Sequence, residues 1–72
     1  MMTRFWYDDI VRVSEQVASN DHRKGWVIAV FDEDARRRHA FDRFAPGVVY
    51  TLEFEDGMTD EFHESDLETW TG

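Results

Sequence analysis

Carboxylates are the reactive groups that this sequence offers in greatest number. The 72 residues include 16 Asp and Glu, 8 Lys and Arg, 3 His and no Cys. Paired carboxylates carry out glycoside hydrolysis, and carboxylates this numerous place some pair at a suitable distance in any compact fold. Their abundance alone does not indicate catalysis, and so small a domain leaves little room for a deep substrate pocket. We expect that the chain is not an enzyme.

Nucleophilic and metal chemistry have less support. No serine lies in a G-x-S-x-G signature, and no histidine has a metal-ligand spacing; these residues are Ser14, Ser19, Ser65, His22, His39 and His63. Asp32-Glu33-Asp34 begins like a calcium loop, but Arg37 and Arg43 occupy the sixth and twelfth positions, where an EF-hand has Gly and Glu. We expect no metal and no cofactor, and a helix N-cap accounts for this acidic run.

The charge is distributed unevenly along the chain. Residues 1–43 hold all 8 bases and 8 acids, whereas residues 44–72 hold 8 acids and no base, so the net charge of −8 lies in the C-terminal part. Such a field repels nucleic acid and anionic membranes and attracts basic partners. Solubility alone is the alternative role. The predicted partner-binding residues are seven acids and an aromatic anchor: Glu53, Glu55, Asp56, Asp60, Glu61, Glu64, Glu68 and Trp70.

One basic cluster opposes this field. Arg36-Arg37-Arg38 and Arg43 lie near Phe41 and Phe44, a composition that superficially resembles a nucleic-acid patch. Four arginines are few against the roughly 6–10 phosphate contacts of a typical footprint. We therefore predict that they neutralise nearby acids and that the chain does not bind nucleic acid directly. A monomer is expected, or weak head-to-tail self-association of a bipolar surface.

The clearest structural element is a strand over Val48–Glu55, in which apolar Val48, Tyr50, Leu52 and Phe54 alternate with a largely polar set. Asp56-Gly57 follows it and indicates a hairpin. A three-residue loop, Glu55-Asp56-Gly57 with Gly57 left-handed, sets Phe54 opposite Met58 and Tyr50 opposite Phe62. A two-residue turn would instead pair Leu52 with Glu61, so we predict the longer loop. This register turns Asp60 inward with Met58 and Phe62, unless a bulge turns it out.

Other elements are shorter. The pattern predicts a strand over Ile10–Val13, with Val11 and Val13 on one side and Arg12 on the other, and a turn or short helix over residues 15–19. Polar residues 20–24 form a loop. A central, sharply bent strand over Lys24–Asp32 is apolar on both faces and is therefore expected to be covered on both sides. Residues 33–44 are either loop or a helix capped by Asp34, with Arg37, Ala40, Phe41 and Phe44 on one face. Glu64-Ser65-Asp66 is a turn, and Leu67–Trp70 a closing strand.

This set of segments resembles the SH3-like barrels of the Tudor and KOW kind. The resemblance lies in Val11-Arg12-Val13, Lys24-Gly25-Trp26-Val27, the Tyr50–Phe54 hairpin strand with Asp56-Gly57, and Glu64-Ser65-Asp66-Leu67-Glu68. It implies an all-β, five-stranded SH3-like barrel, with residues 33–44, either loop or short helix, as an insertion.

Within that group, Phe5-Trp6-Tyr7, the Lys24–Val27 strand and the Glu64–Glu68 ending are similar to bacterial immunity proteins of polymorphic toxin systems. That likeness implies an inhibitor of a toxin or a nucleic-acid enzyme. The Tudor likeness implies a reader of methylated cationic peptides. The walls of its cage would come from six aromatic residues: Trp6, Tyr7, Trp26, Phe31, Tyr50 and Phe62. An accessory subunit of a larger assembly is the remaining alternative.

The length corresponds to one domain, residues 1–72. The longest apolar run, Trp26–Phe31, is far shorter than the roughly 20 residues of a membrane helix. Residues 1–9 lack the apolar region of a signal peptide. Because small secreted domains usually depend on disulfides and this chain has no Cys, we expect a cytoplasmic protein.

Overall fold

Five short strands form one antiparallel sheet. A computed structural model describes residues 3–17, 23–38 and 43–71. In chain order the elements are β1 (Ile10–Val13), β2 (Lys24–Phe31), α1 (Glu33–Arg36), β3 (Val49–Phe54), β4 (Thr59–His63), a 3₁₀ helix (Glu64–Asp66) and β5 (Leu67–Thr69). Across the sheet the strand order is β4-β3-β2-β1-β5. The predicted five-stranded, all-β class is confirmed.

The two end strands, β4 and β5, are not hydrogen-bonded to each other within the described parts of the chain, so the sheet is open. The 3₁₀ helix connects them directly. Phe62 of β4 and Leu67 of β5 nevertheless belong to the same hydrophobic cluster. The sheet therefore curls around one core without a closing ladder, and a complete SH3-like barrel stays a prediction.

The β3–β4 hairpin has the predicted register. Tyr50 lies opposite Phe62, and the Phe54 amide donates to the Met58 carbonyl at 2.9 Å. Gly57 closes the loop with a φ of +85°, a left-handed conformation that glycine adopts without a steric penalty. The three-residue loop is therefore confirmed, and with it the assignment of Tyr50, Leu52 and Phe54 to the core side.

Asp60 takes the predicted side of β4, that of Phe62, but it is not buried there. Asp60 lies opposite Leu52 in the ladder, yet its side chain is exposed, as is that of Met58. The core-facing side of β4 is buried only at Phe62, because the hairpin end of this strand extends beyond the core. The Asp60 carboxylate thus stays hydrated without a bulge.

The core consists of side chains from every strand and from the N-terminal segment. Val11 and Val13 of β1 are fully buried, whereas Arg12 between them is not, as predicted. Phe5 packs edge-on against Tyr50 with ring centroids 5.6 Å apart. In the described part of the chain, the cluster consists of Phe5, Val11, Val13, Val27, Val48, Tyr50, Leu52, Phe54, Phe62 and Leu67.

Strand β2 occupies the centre of the sheet, as predicted, and its pairing with β3 shifts between Val27 and Ala29. The prediction that it is covered on both faces is wrong. Val27 is buried in the core, but Trp26 is only half-buried and Ile28 is exposed. The register shift supplies the bend that the sequence suggested, and it leaves the outer face of the strand open to solvent.

The segment after β2 forms one turn of helix. Its N-cap is Asp32, whose Oδ1 accepts from the Ala35 amide at 2.9 Å, and not Asp34 as predicted. The three bonds of Arg36 to the carbonyls of residues 44, 45 and 47, at 2.6–3.0 Å, hold the following segment in place. Arg36 therefore binds backbone oxygens, and Arg37 pairs with Asp34, as the predicted neutralising role requires.

Several predicted features fall partly outside the described residues. The turn expected over 15–19 is present over 15–17, and its remainder lies outside. Ala40 and Phe41 of the suggested helix also lie outside, as do His22 and His39. The predicted acidic turn before the last strand is the 3₁₀ helix, and the closing strand ends at Thr69.

Candidate functional site

The β3–β4 hairpin concentrates most of the predicted partner-binding acids. Glu53 and Glu61 point to the outer face of the sheet, opposite Thr59 and Thr51 respectively. Around the hairpin end three more carboxylates are exposed: Glu55, Asp56 and Asp60. Since residues 44–72 contain no Lys or Arg, the hairpin has no base of its own. We name these five residues the hairpin acids.

Two cations from other segments approach the hairpin acids. Lys24 Nζ lies 3.9 Å from Glu55, and Arg43 lies 3.1 Å from Glu61. Except for that of Glu61, the side chains in these pairs are at least 40% exposed, so water screens the attraction and each pair contributes little to stability. Both cations lower the local negative charge without burying a carboxylate.

Glu53 and Glu64 have structural partners. Glu53 accepts from Trp26 Nε1 at 3.1 Å. Glu64 accepts the hydroxyl proton of Tyr50 at 2.5 Å and the Arg4 amide at 3.1 Å. Burial, and then this bond to Glu64, raises the pKa of Tyr50 to about 12. Glu64 therefore fixes the 3₁₀ helix to the core and to the N-terminal segment, and it lies apart from the hairpin acids.

Glu68 and Trp70 lie at the other edge of the sheet. Glu68 lies opposite Arg12 in the ladder between β1 and β5. The Trp70 ring is half-buried, with Lys24 Nζ 5.3 Å from its centroid. Lys24 also approaches Glu55. The Lys24 side chain therefore lies between Trp70 and the hairpin on the outer face. An internal cation thus already occupies a face of the predicted aromatic anchor.

Exposed apolar side chains lie on and beside the same face, and the sequence prediction named only part of them. The rings of Trp6 and Tyr7 pack edge to face, with ring centroids 5.2 Å apart. The turn that carries them is fixed to β2, since the Asp8 amide donates to the Val27 carbonyl at 2.9 Å. We name the set the N-terminal apolar patch: Trp6, Tyr7, Ile10, Trp26 and Ile28.

One feature of the sequence indicates this patch. Ile10 alternates with Val11 in a two-residue period, which places it on the outer face with Arg12, and it lies opposite Trp26 there. An apolar residue on the otherwise polar face of a strand indicates an exposed apolar surface. Of the six suggested cage walls, Tyr50 and Phe62 are buried in the core and cannot contact a ligand.

His63 has a structural environment. Its Nε2 lies 2.9 Å from the Pro46 carbonyl, and its Nδ1 lies 3.1 Å from the Ser65 amide. In this geometry Nε2 is placed to donate to the carbonyl and Nδ1 to accept from the amide. In residues 3–17, 23–38 and 43–71, no group of three or more His, Asp and Glu side chains is placed to hold a metal ion.

Across the described residues, no helix has the length and apolar character needed to span a membrane. A comparison with protein-family models found no match. Comparisons with curated proteins and with solved structures also found none. The site must therefore be interpreted from its own geometry and charge.

Proposed function

We propose that the chain is a non-catalytic binding protein whose hairpin acids dock on a basic protein. The observation that carries the proposal is the placement of five carboxylates on one hairpin, approached by only two exposed cations in the described structure. Such a surface speeds encounter with a cationic partner and selects against anionic ones. More specifically, we propose that the partner is a bacterial toxin or a nucleic-acid enzyme and that the chain is an immunity-type inhibitor of it.

Charge reversal at the hairpin acids tests this proposal. Glu55→Lys with Asp60→Lys is the test variant, because neither side chain is buried. Glu15→Lys with Glu33→Lys is the matched control, since both pairs change the net charge from −8 to −4. Basic proteins captured at low salt are identified, purified and measured again for direct binding.

The proposal predicts that the hairpin variant loses about tenfold or more in association rate and that the control loses much less. Equal losses in the two variants would mean that net charge alone attracts the partner. A partner that binds both variants like the native chain would contradict the proposal.

A second candidate function is a reader of methylated lysine. Trp6 and Tyr7 meet at an interplanar angle of 82° beside exposed Asp8 and Asp9, which provides two perpendicular walls and negative charge for a cation. This candidate predicts that a trimethyllysine peptide binds more tightly than the same peptide with unmodified lysine, as measured by NMR titration. Equal affinity for the two peptides would exclude it.

A further inference from the structure

The N-terminal apolar patch leaves large side chains in water. Trp6 is 58% exposed and Ile10 is 48% exposed, and Tyr7 and Ile28 are exposed as well. Single exposed apolar residues are common, but a group of them bounded by polar residues marks a protein interaction surface. Backbone bonds hold the group together, because Val27 donates to the Asp9 carbonyl and accepts from the Asp8 amide.

The charges next to the patch are negative. Asp8 and Asp9 lie in the same turn as Trp6 and Tyr7, and Glu53 is hydrogen-bonded to Trp26. Of the described bases, Arg12 lies 3.4 Å from Glu15, Lys24 lies 3.9 Å from Glu55 and Arg43 lies 3.1 Å from Glu61, so acids already approach each of them. The patch is therefore an apolar surface with a rim of carboxylates.

This rim decides which kind of partner the patch fits. A second copy of the chain would carry the same net charge of −8 and would place Asp8, Asp9 and Glu53 near their own equivalents, which is unfavourable. A nucleic acid or an anionic membrane is repelled in the same way. A protein segment with an apolar side chain flanked by Lys or Arg satisfies both the patch and its rim.

We propose that the N-terminal apolar patch is the anchoring surface for a basic amphipathic segment of the partner protein. This inference rests on the proposed function, because it takes the same basic partner and assigns the two surfaces different tasks. The hairpin acids attract the partner by charge, and the patch holds it by burying apolar side chains, chiefly against Trp6.

Two synthetic peptides of equal length and equal positive charge serve as probes. One has lysines with leucines at amphipathic spacing, and the other has serine in place of every leucine. Each is titrated into the ¹⁵N-labelled chain, and NMR gives both the affinity and the position of the shifted amides. Trp6→Ala is the test variant, and Met58→Ala is the control, since Met58 is 59% exposed and lies at the hairpin. Ile10→Thr is a second test that keeps a β-branched residue in β1.

The proposal predicts that the leucine peptide binds the native chain about tenfold or more tightly than the serine peptide. Its shifts should centre on residues 6–10 and 26–28. Trp6→Ala and Ile10→Thr should remove most of this gain, whereas Met58→Ala should keep it.

A gain that survives Trp6→Ala and Ile10→Thr would overturn the proposal, as would shifts confined to residues 53–61. Concentration-dependent dimerisation through residues 6–10 without peptide would also overturn it by showing that a second copy is the occupant. The proposed function fails separately, if Glu55→Lys with Asp60→Lys leaves the serine peptide binding unchanged.

Discussion

Removal of the Tyr50 hydroxyl should destabilise the protein strongly, although the substitution removes only one heavy atom. In Tyr50→Phe, the Phe5 amide loses its acceptor at 3.2 Å and Glu64 loses a donor at 2.5 Å. Hydrogen bonds to charged groups contribute about 1.5–3 kcal/mol. Because the Tyr50 side chain is fully buried, water does not replace the lost bond to Phe5. We expect the free energy of unfolding to fall by about 2 kcal/mol at neutral pH.

Burial of Tyr50, and then its bond to Glu64, also make stability depend on alkaline pH. The pKa of Tyr50 is raised from 10.0 to about 12 in the folded state, so the folded protein holds this proton more firmly than the unfolded chain does. Stability from this group is complete below pH 10 and is lost as the pH rises toward 12. A shift of this size corresponds to about 3 kcal/mol. The advantage of the native chain over Tyr50→Phe should therefore shrink across that interval.

Urea unfolding of both proteins at neutral pH and at several pH values between 10 and 12 measures the two effects. Tyr7→Phe is the matched control, because the Tyr7 ring is exposed, and it should change the free energy of unfolding by less than about 0.5 kcal/mol. If Tyr50→Phe is as stable as the native chain at neutral pH, or if their difference is constant up to pH 12, the reasoning is refuted.

Three further predictions concern Arg36, Gly57 and Gly25 and are also measured by urea unfolding. Arg36→Ala removes three bonds to backbone carbonyls and should cost about 2 kcal/mol, whereas exposed Arg38→Ala should cost less than about 0.5 kcal/mol; equal effects would show that Arg36 does not hold the segment. Gly57→Ala forces a left-handed alanine at φ +85° and should cost about 1 kcal/mol, with Gly57→Asn costing less. Gly25→Ala should cost about 2–3 kcal/mol, because its Cβ would lie 2.9 Å from the Glu53 carbonyl. If Gly57→Ala costs more than Gly25→Ala, the packing argument is wrong.

Local pattern was sufficient to predict the hairpin. The alternation through Tyr50, Leu52 and Phe54 defines one buried face, and only the three-residue loop at Gly57 keeps Phe62 on that face. A register shift of one residue would reverse every side chain of β4, so the energetic preference is large. This is why the register could be predicted from sequence, whereas the predicted strand Val48–Glu55 is one residue longer than β3 at each end.

Contacts between distant segments were not predictable in this way. The bond from Tyr50 to Glu64 and the position of Lys24 between Glu55 and Trp70 depend on the strand order across the sheet. Periodicity assigns a side chain to a face but does not say which strand lies beside it. The sequence therefore predicted an acidic surface but not which bases approach it.

Short polar segments limited the prediction in another way. Asp32 and Asp34 are both suitable N-cap residues by type, and the sequence does not show which one has the extended backbone that a cap requires. The structure gives Asp32 a ψ of −177°. The sequence wrongly predicted a covered outer face at half-buried Trp26 and exposed Ile28 for a related reason, because a continuous apolar run does not reveal a register shift.

The central claim is that the hairpin acids attract a basic protein, and the salt dependence of association tests it most directly. The association rate of the purified partner with the native chain is measured by stopped flow between about 0.05 and 0.5 M salt, where the Debye length shortens from about 14 to 4 Å. The account predicts a fall of about tenfold or more for the native chain and a much shallower dependence for Glu55→Lys with Asp60→Lys. Rates that do not change with salt, or that fall equally for both proteins, would contradict it.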